Sequence, residues 1–242
     1  MFTDTDYDKL KQLMAEKPEN EALIQKLLAS HKETISTISH EIRNPLTLVY
    51  STLQLIESQH PEVSSFRHWD SLREDIVYMK QLLEELSSFN NSTILSVKPF
   101  DFRKFMEQLV ISYAINFTDS DIEFTSYIDP ALPIITADSI KLKEVFLNLL
   151  RNASEAIDKT GSIRLNATYT ENTIIVSIKD SGCGIPAEHL DNIFIPFITY
   201  KQGGTGLGLP IAKRTIEAHN GNISVSSTPD NGTTFTITLP VT

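Results

Sequence analysis

A histidine next to a carboxylate stands in the stretch SHEIRNPL, residues 39–46. A neutral imidazole is populated near pH 7 and offers a nitrogen lone pair, so His40 could act as a nucleophile. Glu41 is placed to take the proton of the other ring nitrogen, which would make the attacking nitrogen more nucleophilic. Ile38 and Ile42 belong to an apolar helical stripe, so His40 between them is predicted to face solvent. Most solvent-facing histidines have no chemical role. Whether His40 is a nucleophile therefore depends on the motifs found in the rest of the chain.

Two further residues of this stretch bear on the chemistry of His40. Asn44 follows His40 by four residues, so both side chains share a helical face one turn apart. An amide there could hold a water molecule without competing as a nucleophile, or it could simply be a residue tolerated before a proline. Pro45 removes the helical hydrogen bond to the carbonyl of Glu41, so we expect a local hinge.

Glycine-rich stretches occur far along the chain, as DSGCGIP at 180–186 and GGTGLGL at 203–209. Glycines let the backbone approach a ligand closely, and the N-terminus of the following helix favours an anion. The chain has no GxxxxGK[ST] motif, and the second stretch is not set in a βαβ unit, which argues against the P-loop and the dinucleotide fingerprint. A purely structural turn remains the alternative for either stretch.

Two asparagines lie on one face of the predicted helix KLKEVFLNLLRNASEAI. Asn148 and Asn152 are four residues apart among apolar neighbours, so at least one faces the interior or a ligand. An amide oxygen is a suitable ligand for Mg²⁺, which completes its coordination with water and phosphate oxygens. The alternative is a solvated pair on a surface helix.

Composition narrows the class of ligand. The 242 residues carry a formal net charge of −10, which argues against nucleic acid as a partner. A phosphate ligand would therefore depend on backbone amides, a metal ion and a few local cations. The single cysteine, Cys183, allows neither an intrachain disulfide nor a cysteine metal cluster. The acidic N-terminus has no signal-peptide pattern and no apolar run could span a membrane, so we expect a cytoplasmic protein.

The elements that position His40 are predicted to form a helical hairpin over residues 21–91. The first helix has an apolar stripe with alternating spacings of four and three at Ile24, Leu28, His31, Ile35, Ile38, Ile42, Pro45, Val49, Thr52 and Ile56. A loop is expected at 57–65. The second helix repeats the pattern at Phe66, Trp69, Leu72, Ile76, Met79, Leu83, Leu86 and Phe89. One hairpin cannot enclose its own stripe, which favours a homodimeric four-helix bundle over packing on the rest of the chain.

Residues 92–242 show a different pattern, that of an α+β sandwich. Strands are predicted near residue 98 and at 121–128, 163–169, 173–179, 222–227 and 233–239. Helices follow Asp101 and Asp138, which serve as N-caps, and a further helix covers 207–219. Gly161 and Gly221 are expected to end helices in left-handed turns. A mixed sheet covered on one face by helices is the natural arrangement.

Taken together, the motifs resemble those of the sensor histidine kinases of two-component signalling. SHEIRNPL resembles the phosphoacceptor motif of their dimerisation helix, and NLLRNASEAI the asparagine motif. DSGCGIP and GGTGLGL resemble the two glycine motifs, IFIPFITYK the phenylalanine motif, and DNGTTFTITLP the closing strand. The resemblance covers roughly residues 30–242, in order, and is nearest in style to the nitrogen-regulation and sporulation kinases. It implies a dimerisation and histidine phosphotransfer hairpin (21–91) followed by an ATP-binding domain of the GHKL, or Bergerat, type (92–242).

The resemblance also implies a role for each site residue. Asp180 would accept the adenine amino group, with Thr234 in support, and Asn148 and Asn152 would hold the Mg²⁺ that bridges the ATP phosphates. Lys201 would bind the terminal phosphates. The pocket and its mobile lid would be formed by Gly182, Gly184, Ile185, Gly204, Thr205, Gly206, Leu207 and Gly208, with Phe194 and Phe197 anchoring the start of the lid.

Three departures from related patterns refine this interpretation. ATPases that share the fold carry a glutamate at the position of Asn148, so the asparagine favours phosphotransfer over hydrolysis by an activated water. Glu155 replaces a residue that is basic in many relatives. The lid between Phe197 and Gly206 is short, and both of these features suit the nitrogen-regulation and sporulation subgroup.

The function implied is an ATP-dependent protein histidine kinase. It would phosphorylate His40, pass the phosphoryl group to an aspartate of a response-regulator receiver domain, and use Asn44 in dephosphorylating that regulator. Residues 1–20 are too short for a sensor domain, so a separate sensor protein could supply the signal. The alternative is a dimeric phosphorelay adaptor or scaffold that binds a response regulator without using ATP.

Overall fold

The computed structural model describes residues 18–118, 120–201 and 203–241. Most of the N-terminal segment predicted over 1–20 lies outside these ranges. The chain divides into two compact units with the boundary between Asn90 and Asn91. No helix of the described residues is long and apolar enough to cross a membrane.

The first unit is a helical hairpin. Helix α1 covers Pro18–Gln59 and helix α2 covers Trp69–Asn91, with a 3-10 helix at Pro61–Ser65 between them. The connection, residues 60–68, is as long as the predicted loop at 57–65 but lies three residues later, because α1 continues to Gln59. Trp69 donates from Nε1 to Glu57 Oε1 at 2.8 Å, which ties the start of α2 to the end of α1.

Leu46, Leu53 and Ile76 form the buried core of the hairpin, with Tyr50, Trp69 and Leu83 packed against them. Most residues of the apolar stripe that was predicted on α1 do not belong to this core. Ile38 is 50%, Ile42 48% and Val49 44% exposed, whereas the side chains of Leu28 and His31 lie outside the described residues. Helix α1 therefore has two apolar stripes, one facing α2 and one facing away from it.

The second unit has two sheets. The strands are β1 (Lys98–Asp101), β2 (Ile122–Ile128), β3 (Ile134–Ala137), β4 (Gly161–Thr170), β5 (Thr173–Asp180), β6 (Asn222–Ser227) and β7 (Thr233–Pro240). Five strands form a mixed sheet in the order β2-β4-β5-β7-β6, in which β2 is parallel to β4 and the other pairs are antiparallel. The short strands β1 and β3 pair antiparallel, and β3 was not predicted.

The described residues of this unit form four α-helices, α3 (Phe102–Ala114), α4 (Ser139–Glu155), the short α5 (Ala187–Leu190) and α6 (Gly208–Ala218), and a 3-10 helix at Ile115–Phe117. Side chains of β4, β5 and β7 alternate between the core and the other face, as a half-covered sheet requires. Phe146, Leu149 and Leu150 of α4 lie in the same core. The predicted α+β sandwich is confirmed.

The helix ends confirm two predictions and correct two. Asp101 accepts from Lys104 N, and Asp138 accepts from Ile140 N and Lys141 N, so both are N-caps. Gly161 is instead the first residue of β4, where a Cβ would lie 2.7 Å from Ser181 Oγ. After α6 the left-handed residue is Asn220, with φ 58°, and not Gly221. These glycines permit close packing and do not form the predicted turns.

Candidate functional site

His40 lies exposed on α1, and Arg43 provides the contact that the structure shows at its ring. Arg43 Nη1 is 3.3 Å from His40 Nδ1, and Arg43 Nη2 donates to the carbonyl of Leu83 on α2 at 3.4 Å. Arginine has no acceptor, so Arg43 is the donor in both contacts. The guanidinium thus links the histidine to the second helix. Sequence reasoning missed Arg43, although its spacing of three residues from His40 could have suggested the contact.

Glu41 and Asn44 are exposed on the same stretch of α1 as His40. Asn44 is one turn from His40, as predicted. Helix α1 continues through Pro45 without a break. Because proline has no N–H, the helical donor to the carbonyl of Glu41 is absent at this turn, while the helix is kept on both sides.

In the second unit, Asp180 is the last residue of strand β5, and its carboxylate is buried. Its side chain is 3% exposed, and Oδ1 accepts from Gly182 N at 2.8 Å and from Thr233 N at 3.2 Å. Burial raises the pKa of Asp180 above its ordinary value, and the two backbone donors and the charge of Lys201 offset part of this effect. Thr234, predicted to support Asp180, pairs across strands with Lys179. The observed support comes from the backbone of Thr233, which residue types alone could not reveal.

The first glycine motif brings Asp180 next to the end of α4. Cys183 N donates to the carbonyl of Ala156 at 3.0 Å, and a Cβ on Gly182 would lie 2.4 Å from that same oxygen. Only glycine fits such a close crossing. Ile185 N donates to Ser227 Oγ at 2.8 Å, so the motif is also attached to the end of β6, and Gly184, between them, has φ 69°.

Asn148 and Asn152 are both half-buried on α4. The side chain of Asn148 lies against the second glycine motif, since a Cβ on Gly208 would be 2.6 Å from Asn148 Oδ1. Asn152 Oδ1 accepts from Lys201 Nζ at 3.1 Å, and the same ammonium donates to Glu155 Oε2 at 2.9 Å. The structure thus brings the predicted asparagines, the second glycine motif and Lys201 together.

The lid is the segment from Phe197 to Gly206, and its two ends meet. Phe197 N donates to the carbonyl of Gly206 at 3.0 Å, and both residues have positive φ, 65° and 70°. A Cβ on Gly206 would lie 2.7 Å from the carbonyl carbon of Phe197. Thr205 is buried and its Oγ1 accepts from Leu207 N at 3.3 Å. Gly204 N donates to the carbonyl of Lys201 at 3.2 Å, which folds the middle of the lid into a turn.

The two phenylalanines predicted to anchor the start of the lid, Phe194 and Phe197, differ in the burial of their side chains. Phe194 packs against the core, with Lys213 Nζ 5.4 Å from its ring centroid. The side chain of Phe197 is 55% exposed, so this residue holds the lid through its backbone. Tyr200 stacks on His189 of α5, with ring centroids 3.6 Å apart and planes 10° apart. This stacking contact was not predicted.

The oxygen atoms at and near Asn152 are suitable ligands for a cation. Its amide oxygen already accepts from an ammonium group, and Asn148 supplies a second amide one helical turn away. Amide oxygens are ligands that Mg²⁺ accepts together with phosphate oxygens. The residues therefore fit a metal that is bound jointly with a phosphate ligand.

Comparison with known families agrees with this geometry. Residues 30–92 match the family model of the His Kinase A (phospho-acceptor) domain. Residues 137–242 match that of the histidine kinase-, DNA gyrase B- and HSP90-like ATPase. The chain belongs to the sensor histidine kinases of two-component signalling.

Individual relatives give the extent of the similarity. The chain is 33% identical over 215 residues to the signal transduction histidine-protein kinase AtoS of Escherichia coli, covering 88% of this chain and 35% of AtoS. It is 34% identical to the sensory histidine kinase/phosphatase NtrB of Rhodobacter capsulatus, covering 84% of this chain and 60% of NtrB. The chain thus corresponds to a part of each of these histidine kinases.

A solved structure is also similar to this chain. Full-length ShkA in complex with AMPPNP shares 26% identity with a TM-score of 0.74, covering 86% of this chain and 46% of ShkA.

Proposed function

We propose that this chain is the catalytic core of an ATP-dependent protein histidine kinase that phosphorylates its own His40. It then passes the phosphoryl group to an aspartate of a response-regulator receiver domain. The observation that carries the proposal is the convergence of Asp180, Asn148, Asn152 and Lys201 with both glycine motifs in one unit. An exposed histidine in the phosphoacceptor motif of the other unit supports it. Residues 21–91 are proposed as the phosphotransfer domain and 92–242 as the ATP-binding domain.

Asp180 is proposed to read the adenine. Its Oδ1 is used by two backbone donors, which fix the carboxylate and leave the other oxygen able to accept from the exocyclic amino group. A buried acceptor discriminates strongly against a base that lacks the donor, because the acceptor would then be left unpaired. ShkA, solved with an ATP analogue, supports adenine nucleotide as the ligand.

Asn152 and Asn148 are proposed to hold Mg²⁺, and Lys201 to bind the terminal phosphates. When bound, Mg²⁺ would neutralise phosphate charge and orient the γ-phosphoryl group. Gly206 and Gly208, where the lid ends and α6 begins, lie at a helix N-terminus, which stabilises an anion such as phosphate.

His40 is proposed as the nucleophile. A ring nitrogen attacks the γ-phosphorus, the P–N bond forms, and the bond to the bridging oxygen breaks with its electron pair leaving on ADP. The ring proton passes to Glu41, the adjacent exposed carboxylate. Exposure of His40 suits this role, because the ring must reach ATP and later the aspartate of another protein.

A homodimer is proposed from the second apolar stripe of α1. Ile38, Ile42 and Val49 are about half exposed in the single hairpin, and a second hairpin would cover them in a four-helix bundle. The His Kinase A match over residues 30–92 supports this assembly. Asn44 is proposed to assist regulator dephosphorylation, and similarity to the kinase/phosphatase NtrB supports that second activity.

The test is labelling of the purified chain with γ-³²P-ATP and Mg²⁺. Wild type should acquire acid-labile, base-stable label, while His40→Gln should acquire none and still bind nucleotide. Acid-labile label on His40→Gln would refute the phosphoacceptor assignment. Absence of label on a wild type that still binds a response regulator would favour the adaptor without kinase activity.

A further inference from the structure

Lys201 contacts two residues at the end of α4, and these two contacts compete with the function proposed for the lysine. Its Nζ lies 3.1 Å from Asn152 Oδ1 and 2.9 Å from Glu155 Oε2. Asn152 is the proposed metal ligand, and Lys201 is the proposed cation for the phosphates. We call the contacts of Lys201 with Asn152 and Glu155 the latch.

Several features stabilise the latch. Glu155 is the last residue of α4, so both its carboxylate and the negative end of the helix attract the ammonium of Lys201. The neighbouring lid residue Tyr200 stacks on His189 at 3.6 Å, which fixes the lid beside Lys201. Side-chain exposures of 45% for Lys201 and 49% for Glu155 mean that the ion pair is screened by solvent and can be exchanged.

The latch and a bound metal exclude each other on electrostatic grounds. A divalent cation and an ammonium that share one neutral amide oxygen would lie within about 5 Å of each other and repel. Lys201 would therefore have to leave Asn152 for the metal to bind there. The triphosphate offers it a new negative partner in place of Glu155.

We propose that Glu155 is a positioning residue that holds Lys201 on Asn152, so that binding of Mg²⁺-nucleotide requires transfer of Lys201 from Glu155 to the phosphates. The proposal rests on the proposed function and adds a residue that regulates nucleotide binding. Glu155 opposes nucleotide binding, and the lid is released only when metal and phosphates arrive together. A basic residue at position 155 could not act in this way.

The first experiment probes the latch without nucleotide. Trypsin cleaves after Lys201 only when the ammonium has left Glu155 and Asn152 to enter the protease pocket. Glu155→Gln should raise the rate of cleavage after Lys201 by up to about fivefold, the scale of one exposed ion pair. The matched control is Glu107→Gln, which removes the 2.9 Å, similarly exposed pair with Arg103 on α3. An unchanged rate at Lys201 in Glu155→Gln would overturn the proposal.

The second experiment measures affinity for Mg²⁺-AMPPNP by calorimetry. Glu155→Gln should bind up to about fivefold more tightly than wild type, and Glu107→Gln should match wild type. In the Lys201→Ala background, Glu155→Gln should change nothing, because no latch remains to be broken. An equal gain in both backgrounds would show direct repulsion of the phosphates by Glu155 and would overturn the proposal, as would weaker binding by Glu155→Gln. A wild type that binds no nucleotide would refute the proposed function, and the trypsin comparison would still decide whether Glu155 holds Lys201.

Discussion

Arg43 approaches His40 with Nη1 3.3 Å from Nδ1 of the imidazole. The guanidinium only donates, so Nδ1 carries a lone pair, and a neutral ring in this contact has its proton on Nε2. The contact also ties the orientation of the phosphoacceptor to the carbonyl of Leu83 on the other helix of the hairpin.

The tautomer of His40 is the first prediction. In wild type, nitrogen NMR should show neutral His40 with the proton on Nε2. Arg43→Met, which keeps the apolar stem but removes the donor, should increase the fraction protonated at Nδ1. Arg73→Met, at an exposed arginine of α2, serves as the control and should leave His40 unchanged. A wild-type ring protonated mainly at Nδ1 would contradict the contact.

The metal site gives the second prediction. Asn152→Ala should reduce the gain in nucleotide affinity that Mg²⁺ provides, so that affinities measured with Mg²⁺ and with EDTA approach each other. The melting temperature without nucleotide should stay close to that of wild type, because the amide–metal contact stabilises only the liganded protein. A mutant with the wild-type Mg²⁺ dependence would remove Asn152 from the metal site.

The third prediction concerns whether the phosphoryl group passes from ATP to His40 within one subunit of the proposed dimer or between its subunits. Mixed dimers of Asn152→Ala with His40→Gln contain one chain able to bind Mg²⁺-ATP and one chain able to accept phosphate. Label on the Asn152→Ala chain would mean transfer between subunits. Label on neither chain would instead mean transfer within one subunit. Light scattering that shows a monomer at micromolar concentration would refute the dimer itself.

We predict that the ionised carboxylate of Asp180 lowers the stability of the folded protein, although adenine recognition requires it. Because burial raises its pKa, the ionised carboxylate destabilises the folded state at pH values above the folded pKa, and this cost disappears below the unfolded value of about 3.9. Asp180→Asn keeps an acceptor for Gly182 N and Thr233 N, so it should melt higher than wild type at pH 7, by about 2–4 °C per kcal/mol gained.

The same variant should fail to recognise adenine. The amide nitrogen would face the exocyclic amino group as a second donor, so nucleotide affinity should fall at least about tenfold, or 1.4 kcal/mol. Thermal melts between pH 7 and pH 4 should show the stability difference closing as the pH falls. A difference that widens toward acid would contradict the raised pKa.

Most of the architecture could be predicted because each element carries a local signal. Alternating side chains marked β4, β5 and β7, and Asp101 and Asp138 marked helix starts. Strand β3 has only four residues after a proline and pairs with β1, about 35 residues away, so its partner was not visible locally.

The site was predicted less completely, for the same reason. Residue types and motif order identified Asn148, Asn152, Asp180 and Lys201, but not the contacts among them. The pairing of Lys201 with Glu155 spans 46 residues, and the support of Asp180 by Thr233 comes from a backbone N–H that every non-proline residue has. Such contacts depend on the tertiary fold, which a single sequence does not display.

Asn44 provides the last prediction, on the proposed phosphatase activity. Its exposed amide lies one turn from His40 and could hold the water that attacks the phosphoaspartate of the regulator. Asn44→Ala should leave labelling of His40 within a few-fold of wild type. Loss of phosphate from the regulator should slow by about tenfold or more, the scale of one lost positioning contact of about 1.4 kcal/mol. The measurement is decay of a phosphorylated regulator with the kinase present in excess, with Thr47→Ala, at another exposed position of α1, as the control. If Asn44→Ala and wild type accelerate the decay equally, Asn44 only precedes Pro45 and has no role in the attack.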